Sequence, residues 1–122
     1  MKKTIALKEN HEFRRLYHRG TSSAGRHLVL YCRKNRLGHN RLGLVSSTKL
    51  GHAVVRNRCR RRLREVYRLH TPELKQGYDI ILVARGQTPH LKSTQLSKTL
   101  GKLFAKAGLP DKAAPAPQPP QV

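Results

Sequence analysis

The alternation of apolar and polar positions divides the chain before Pro110 into six elements. In NHEFRRLYHRG, Asn10 to Gly20, the residues Phe13, Leu16 and Tyr17 fall at i, i+3 and i+4 and so share one helical face. Asn10 is suited to cap that helix, Glu12 to its positive end, and Gly20 stands where a terminal glycine would stop it. RHLVLYCR, Arg26 to Arg33, alternates with a period of two: Leu28, Leu30 and Cys32 point one way, Val29 and Tyr31 the other. After the breakers Gly38 and Asn40, RLGLVSST (Arg41 to Thr48) predicts a second strand, expected to pair with the first as an antiparallel hairpin. Helical spacing returns over Ala53 to His70, where Val55, Cys59, Leu63 and Val66 form a stripe and Pro72 closes the element. YDIILVAR, Tyr78 to Arg85, is the most apolar run and reads as a buried strand. Beyond Pro89, Ser93 or Thr94 can cap a last helix whose apolar positions are Leu96, Leu100, Leu103, Phe104 and Ala107.

The order α-β-β-α-β-α predicts an α+β fold, a two-layer α-β sandwich with helices packed on a small sheet. The pattern stops at Pro110. PDKAAPAPQPPQV holds five of the seven prolines and has no core-forming period, so 110–122 is expected to be a disordered tail behind one domain, 1–109.

Charge changes this picture most. The chain of 122 residues carries 26 Lys and Arg against 6 Asp and Glu, a formal net charge of +20. A small domain with that charge repels itself unless an anionic partner neutralises it. Nucleic acid fits best, since each neutralised phosphate releases counterions and adds affinity. No run approaches the roughly 20 apolar residues of a membrane span, and MKKTIALKENHEF lacks an apolar signal core. The expectation is a cytosolic (cytoplasmic) protein with no membrane partner. Cys32 and Cys59 are too few for a disulfide scaffold, so both are expected reduced and packed. The seven histidines are scattered without metal-site spacing. No phosphate loop, dinucleotide fingerprint or nucleophile elbow occurs, and no catalytic or metal residue is assigned.

The sharpest feature is the run from Arg56 to Arg68, in which seven of thirteen residues are arginine and only Glu65 is acidic. A solvated helix normally mixes signs to gain i,i+4 pairs, and this one does not. Arg56 and Arg58 even sit at the helix start, where the dipole disfavours cations but free N–H groups attract phosphate. A DNA-recognition helix needs a short helix-to-helix connection, whereas this helix is flanked by strands, which argues against DNA. RNA remains: basic helices beside a sheet with exposed aromatics can hold single strands, and Phe13, Tyr17 and Tyr31 can either stack on bases or fill the core. A structural protein of a larger RNA particle and a free-standing nuclease are the rival readings; the second lacks a catalytic constellation.

AVVRNRCRRRLREVYR resembles the signature of the bacterial ribonuclease P protein subunit, with an Ala-Val pair, an Arg-Asn-Arg core and a basic run ending in RLRE. EFRRLYHRGTSSAGRHLVLY, RLGLVSSTKLGHAVVRNR and YDIILVAR are similar, in order, to the family's other blocks, so the resemblance runs from about Lys8 to Phe104. It implies a basic partner of a catalytic RNA, one protein per RNA, assisting Mg²⁺-dependent endonucleolytic removal of the 5′ leader from precursor tRNA. The catalytic centre and most of the Mg²⁺ are expected on RNA. It implies a left-handed β-α-β crossover around the arginine helix, contrary to the usual handedness. It assigns Arg56, Asn57, Arg58, Arg60, Arg61 and Arg64 to the catalytic RNA. Phe13, Tyr17 and Tyr31 are assigned to the leader, with Lys49 and Arg62 on the same surface. The family commonly has Ser-Lys-Lys where this chain has Ser47-Thr48-Lys49, and Cys59 replaces a usual aliphatic.

Overall fold

The computed structural model describes residues 4–25, 27–46, 50–85 and 91–110. The six elements appear in the predicted order: α1 (Asn10–Arg19), β3 (Leu28–Lys34), β4 (Asn40–Ser46), α2 (Ala53–His70), β5 (Tyr78–Ala84) and α3 (Ser93–Ala107). Two short strands, β1 (Thr4–Ala6) and β2 (Thr21–Ala24), complete a five-stranded sheet of order β1-β4-β5-β3-β2. Tail residues 111–122 lie outside the described residues, but the folded part extends slightly past Phe104. Leu109 is buried, its carbonyl accepts from Lys75 N–H at 2.8 Å, and Pro110 bridges to Leu74.

The expected β3–β4 hairpin does not form. β5 lies between the two strands, antiparallel to β3 (Cys32 opposite Ile80) and parallel to β4 (Leu42 opposite Ile80). The reason is burial. Ile80, Ile81 and Leu82 are all fully buried, so β5 needs cover on both faces and neighbours on both sides, and the central position supplies them.

Connecting parallel neighbours through α2 makes a β-α-β unit, and its hand follows from one residue. Leu42 joins the core cluster with Cys59 and Leu63 of α2, while its carbonyl points to the β1 side and accepts from Leu7 N–H at 2.9 Å. In an L-residue these two directions fix the view. Seen from the helices with β4 running upward, β1 is on the right and β5 on the left. A chain that rises along β4, comes forward through α2 and moves left to β5 makes a left-handed crossover.

The main core lies between the sheet and the layer formed by α2 and α3. Leu28, Leu30, Cys32, Ile80 and Leu82 meet Cys59, Leu63, Val66, Leu96, Leu100, Leu103 and Phe104. Both cysteines are free and buried. His70, at the end of α2, ties the two helices together, with Nε2 at 2.9 Å from Ser97 Oγ and Nδ1 at 2.6 Å from Glu73. Across the sheet, α1 packs Leu16 against Leu7 and Ile81, with Phe13, Tyr31, Val45 and Val83 half-buried around them. That face is therefore only partly covered.

Two cap assignments shift by one residue. The α1 cap position is Glu9, not Asn10, and that of α3 is Lys92, whose N–H donates to Gln95 Oε1 at 3.1 Å. Gly20 does end α1, but with φ −77 rather than in a left-handed turn. Its missing Cβ matters for another reason: a Cβ there would stand 2.6 Å from Leu16 O and 3.0 Å from Cys32 O. Glycine lets the helix end press onto β3.

Candidate nucleic-acid interface

The 18 residues of α2 display three surfaces. Cys59, Leu63, Val66 and Tyr67 face the core. On the flank toward β1 lie Arg60 and Arg64, with Arg68 one turn further. On the opposite flank Arg62 reaches the start of α3, donating from Nη1 to Leu91 O at 2.5 Å. Asn57, Arg58, Arg61 and Arg64 are exposed, and Asn57 Oδ1 accepts from Arg60. The first turn of the helix carries no acidic residue and no side-chain cap, so its N–H groups add to the positive end. Arg56 is half-buried where β4 leads into the helix; Ser46 Oγ donates to its carbonyl at 3.3 Å. Its Nε is buried with no hydrogen-bond partner among the described residues.

The three aromatic positions come together. Tyr17 and Tyr31 meet edge to face, ring centres 4.9 Å apart and planes at 82°. Tyr17 is 40% exposed, and Phe13 lies over Gly43 of β4. Partial burial, then the neighbouring Tyr31 phenol, push the Tyr17 hydroxyl above its ordinary value, so it stays a neutral donor. These rings are neither fully core nor fully free: each has one packed side and one open side.

Phe13 also reaches the cleft beside β1, about 1120 Å³, whose walls include Ile5, Leu44, Arg60, Arg64 and Arg68. The aromatic set and the arginine flank of α2 therefore share a border. Arg62 is held on the far flank and does not join the aromatic group. Lys49 lies outside the described residues.

Sequence reasoning missed what holds α1 in place. Arg41 on β4 donates from Nε and Nη2 to Asp79 of β5 at 2.7 and 2.6 Å, and from Nη1 to Glu12 of α1. Asn35 Nδ2 adds a fourth bond, to Asp79 at 2.8 Å. Burial alone would raise the Asp79 carboxyl; the hydrogen bonds from Arg41 and Asn35 outweigh it and hold the group below the usual carboxylate range. Arg41 and Asp79 are 38 residues apart, so no local pattern announces them. The described residues contain no group of three or more His, Cys, Asp or Glu side chains placed to hold a metal, and the Glu12 and Asp79 carboxylates are engaged by Arg41. This donor set does not fit a Mg²⁺ cage. Nor is any helix among the described residues long and apolar enough to cross a membrane.

An arginine-lined helix bordering an aromatic cleft, on a small α+β sandwich of charge +20, defines a basic RNA-binding protein. A family model described as Ribonuclease P matches residues 1–108. The ribonuclease P protein component of Natranaerobius thermophilus is 40% identical over 109 residues, covering 89% of this chain and 95% of that protein. Its counterpart in Thermoanaerobacter sp. is 42% identical over 108 residues, 88% and 93% of the two chains. Among solved structures, the Staphylococcus aureus RNase P protein superposes with a TM-score of 0.80 at 34% identity, covering 89% of this chain and all of the other. The Thermotoga maritima protein gives 0.76 at 26% identity, covering 83% and 96%. The chain belongs to the ribonuclease P protein family. It is the protein subunit of a ribonucleoprotein endoribonuclease and works with the ribonuclease P RNA.

Proposed function

We propose that the two bordering surfaces divide the RNA between them: the arginine helix takes the catalytic RNA, and the aromatic cleft takes the 5′ leader of precursor tRNA. The observation that carries this reading is the shared border, where Phe13 lines the same cleft as Arg60 and Arg64. Arg56, Arg58, Arg60, Arg61 and Arg64 hold phosphates of the catalytic RNA as forked cationic donors, and Asn57 adds a neutral amide donor. Phe13, Tyr17 and Tyr31 offer ring faces to unstacked leader bases, each stack contributing about 1–3 kcal/mol. Arg62, held on the far flank against Leu91, is left out of the leader surface, and Lys49 enters the proposal only as a further cation for the leader.

In this reading the protein does no bond chemistry. It fixes the leader relative to the catalytic RNA, converting a loose encounter into a positioned one. Mg²⁺, held mainly by the RNA subunit and the substrate, supplies charge neutralisation at the scissile phosphate. By adding fixed positive charge near the RNA junction, the chain lowers the Mg²⁺ concentration needed for assembly. One protein per catalytic RNA and a cytoplasmic setting complete the proposal.

The test is cleavage of precursor tRNA by ribonuclease P RNA at low Mg²⁺, with and without this protein. Stimulation is expected, and it should fall as Mg²⁺ is raised to levels where the RNA works alone. Absence of stimulation at every Mg²⁺ concentration would remove the reading.

A further inference from the structure

The cleft and the arginine flank leave one charged surface without a role. Helix α3, Ser93–Ala107, contains no acidic residue. Lys98, Lys102 and Lys106 are all exposed, at i, i+4 and i+8. Successive members of such a row lie about 6 Å apart on the helix surface, and the three span about 12 Å along the axis. Like charges at this spacing destabilise a helix, and no Asp or Glu in α3 offsets them. A solvated helix has no need of that arrangement.

The row is also held rigidly beside α2. His70 of α2 bonds Ser97 of α3, Arg62 bonds Leu91, and Phe104 packs edge to face on Tyr67. Arg58 and Arg61 of α2 and the three lysines of α3 are all exposed, at helical positions away from the buried stripes Cys59/Leu63/Val66 and Leu96/Leu100/Leu103. The acid of α2 on this side, Glu65, is taken by Arg68 at 2.6 Å. This surface lies on the opposite face of the sheet from α1, Tyr17 and Tyr31.

We infer that the outer face of the α2–α3 layer is a second RNA-docking surface, with the α3 lysine row seated along the sugar-phosphate backbone of a double-helical segment of the catalytic RNA. A row of cations on a firmly packed helix suits a regular lattice of phosphates, and it needs no base contact, which the absence of exposed aromatics on α3 makes the consistent choice. The sheet is then held between RNA on both faces, leader on one side and duplex on the other. The inference rests on the catalytic RNA being the partner, and it extends the contact surface beyond α2.

The experiment compares two variants of equal charge. One is Lys98→Gln/Lys102→Gln/Lys106→Gln, glutamine being a good helix former; the other is Lys34→Gln/Arg36→Gln/Lys75→Gln, three exposed cations outside the helical layer. Affinity for ribonuclease P RNA alone is measured across a salt series, with thermal melts to verify folding. The α3 variant should shallow the slope of log K against log salt by about 3 and leave the preference for precursor over mature tRNA unchanged. The second variant should change the slope by much less. Equal slope changes in both would mean diffuse attraction and overturn the docking surface, as would no change in the α3 variant. A slope change that appears only with precursor tRNA bound would move the contact to the substrate and overturn the stated partner. Failure of the parent protein to bind the catalytic RNA would instead count against the functional reading itself.

Discussion

Arg41 offers the most direct test of how the leader cleft is built. Its guanidinium joins three elements, β4, β5 and α1, through Asp79 and Glu12. Replacing it by Met keeps the stem and removes every charge-assisted bond. Asp79 would remain 7% exposed with the Asn35 amide as its surviving partner. Breaking a buried ion pair from one side costs about 3–5 kcal/mol; because Asn35 still bonds the carboxylate, the lower end applies, about 3 kcal/mol. For a domain of this size that lowers the melting temperature by roughly 10–20 °C. The sign of the pH dependence follows from Asp79. Its folded-state pKa lies below the unfolded value of about 3.9, so the stability it contributes is present above that value and is lost as pH falls through the folded pKa. In Arg41→Met the burial that remains favours the protonated acid. The gap in stability between parent and variant should therefore be full near pH 7 and shrink below about pH 4. Denaturant unfolding at pH 7 and pH 3.5 measures it. A loss under 1 kcal/mol at neutral pH, or a gap indifferent to pH, would refute the clamp. Since α1 is the element released, preference for precursor over mature tRNA should weaken more than affinity for the catalytic RNA.

Three further outcomes are expected. Phe13→Ala or Tyr17→Ala should weaken binding of precursor tRNA while sparing mature tRNA, by about 1–3 kcal/mol; equal loss for both substrates would assign the ring to the core instead. Gly43→Ala places a Cβ 2.6 Å from the Phe13 ring, so the ring must move; leader preference should fall in a variant that still melts cooperatively, at a cost of about 1–3 kcal/mol. Burial pushes the Cys59 thiol up, against the lowering effect of Arg62 and Arg60, so alkylation with iodoacetamide at pH 8 should be slow in the folded protein and fast in denaturant.

Much of this fold was legible because its helices and long strands carry their periods openly. The six predicted elements fall within a few residues of their observed limits. What failed is pairing. Alternation in RHLVLYCR and RLGLVSST tells which faces their residues occupy, not which strand lies alongside; proximity in sequence suggested a hairpin. The better cue was already present in YDIILVAR, where an uninterrupted apolar run asks for the centre of a sheet. β1 and β2 escaped because three residues, TIA, and four small ones, TSSA, have no strand signal until a neighbour supplies hydrogen bonds. The arginines of α2 and the aromatics were identified through composition, spacing and family blocks. Their relation across the β1 cleft, and Arg62's place on the other flank, depend on tertiary packing. Arg41 looked like one cation among 26, and only β5 gives it a buried partner.

The central place of β5 also orders events during synthesis. Its strand is the last of the five to leave the ribosome, yet it alone joins β4 to β3. Until residue 84 has emerged, β1 with β4 and β2 with β3 are two separate ribbons, each exposing an edge that later becomes interior. The arginine helix is made before the strand that docks its crossover. A nascent chain in this condition is a strongly basic polymer without a fold, in a compartment crowded with RNA. Its late zipper strand makes the emergence of the fourteen residues between His70 and the end of β5 at Ala84 the interval in which non-specific RNA capture competes with folding.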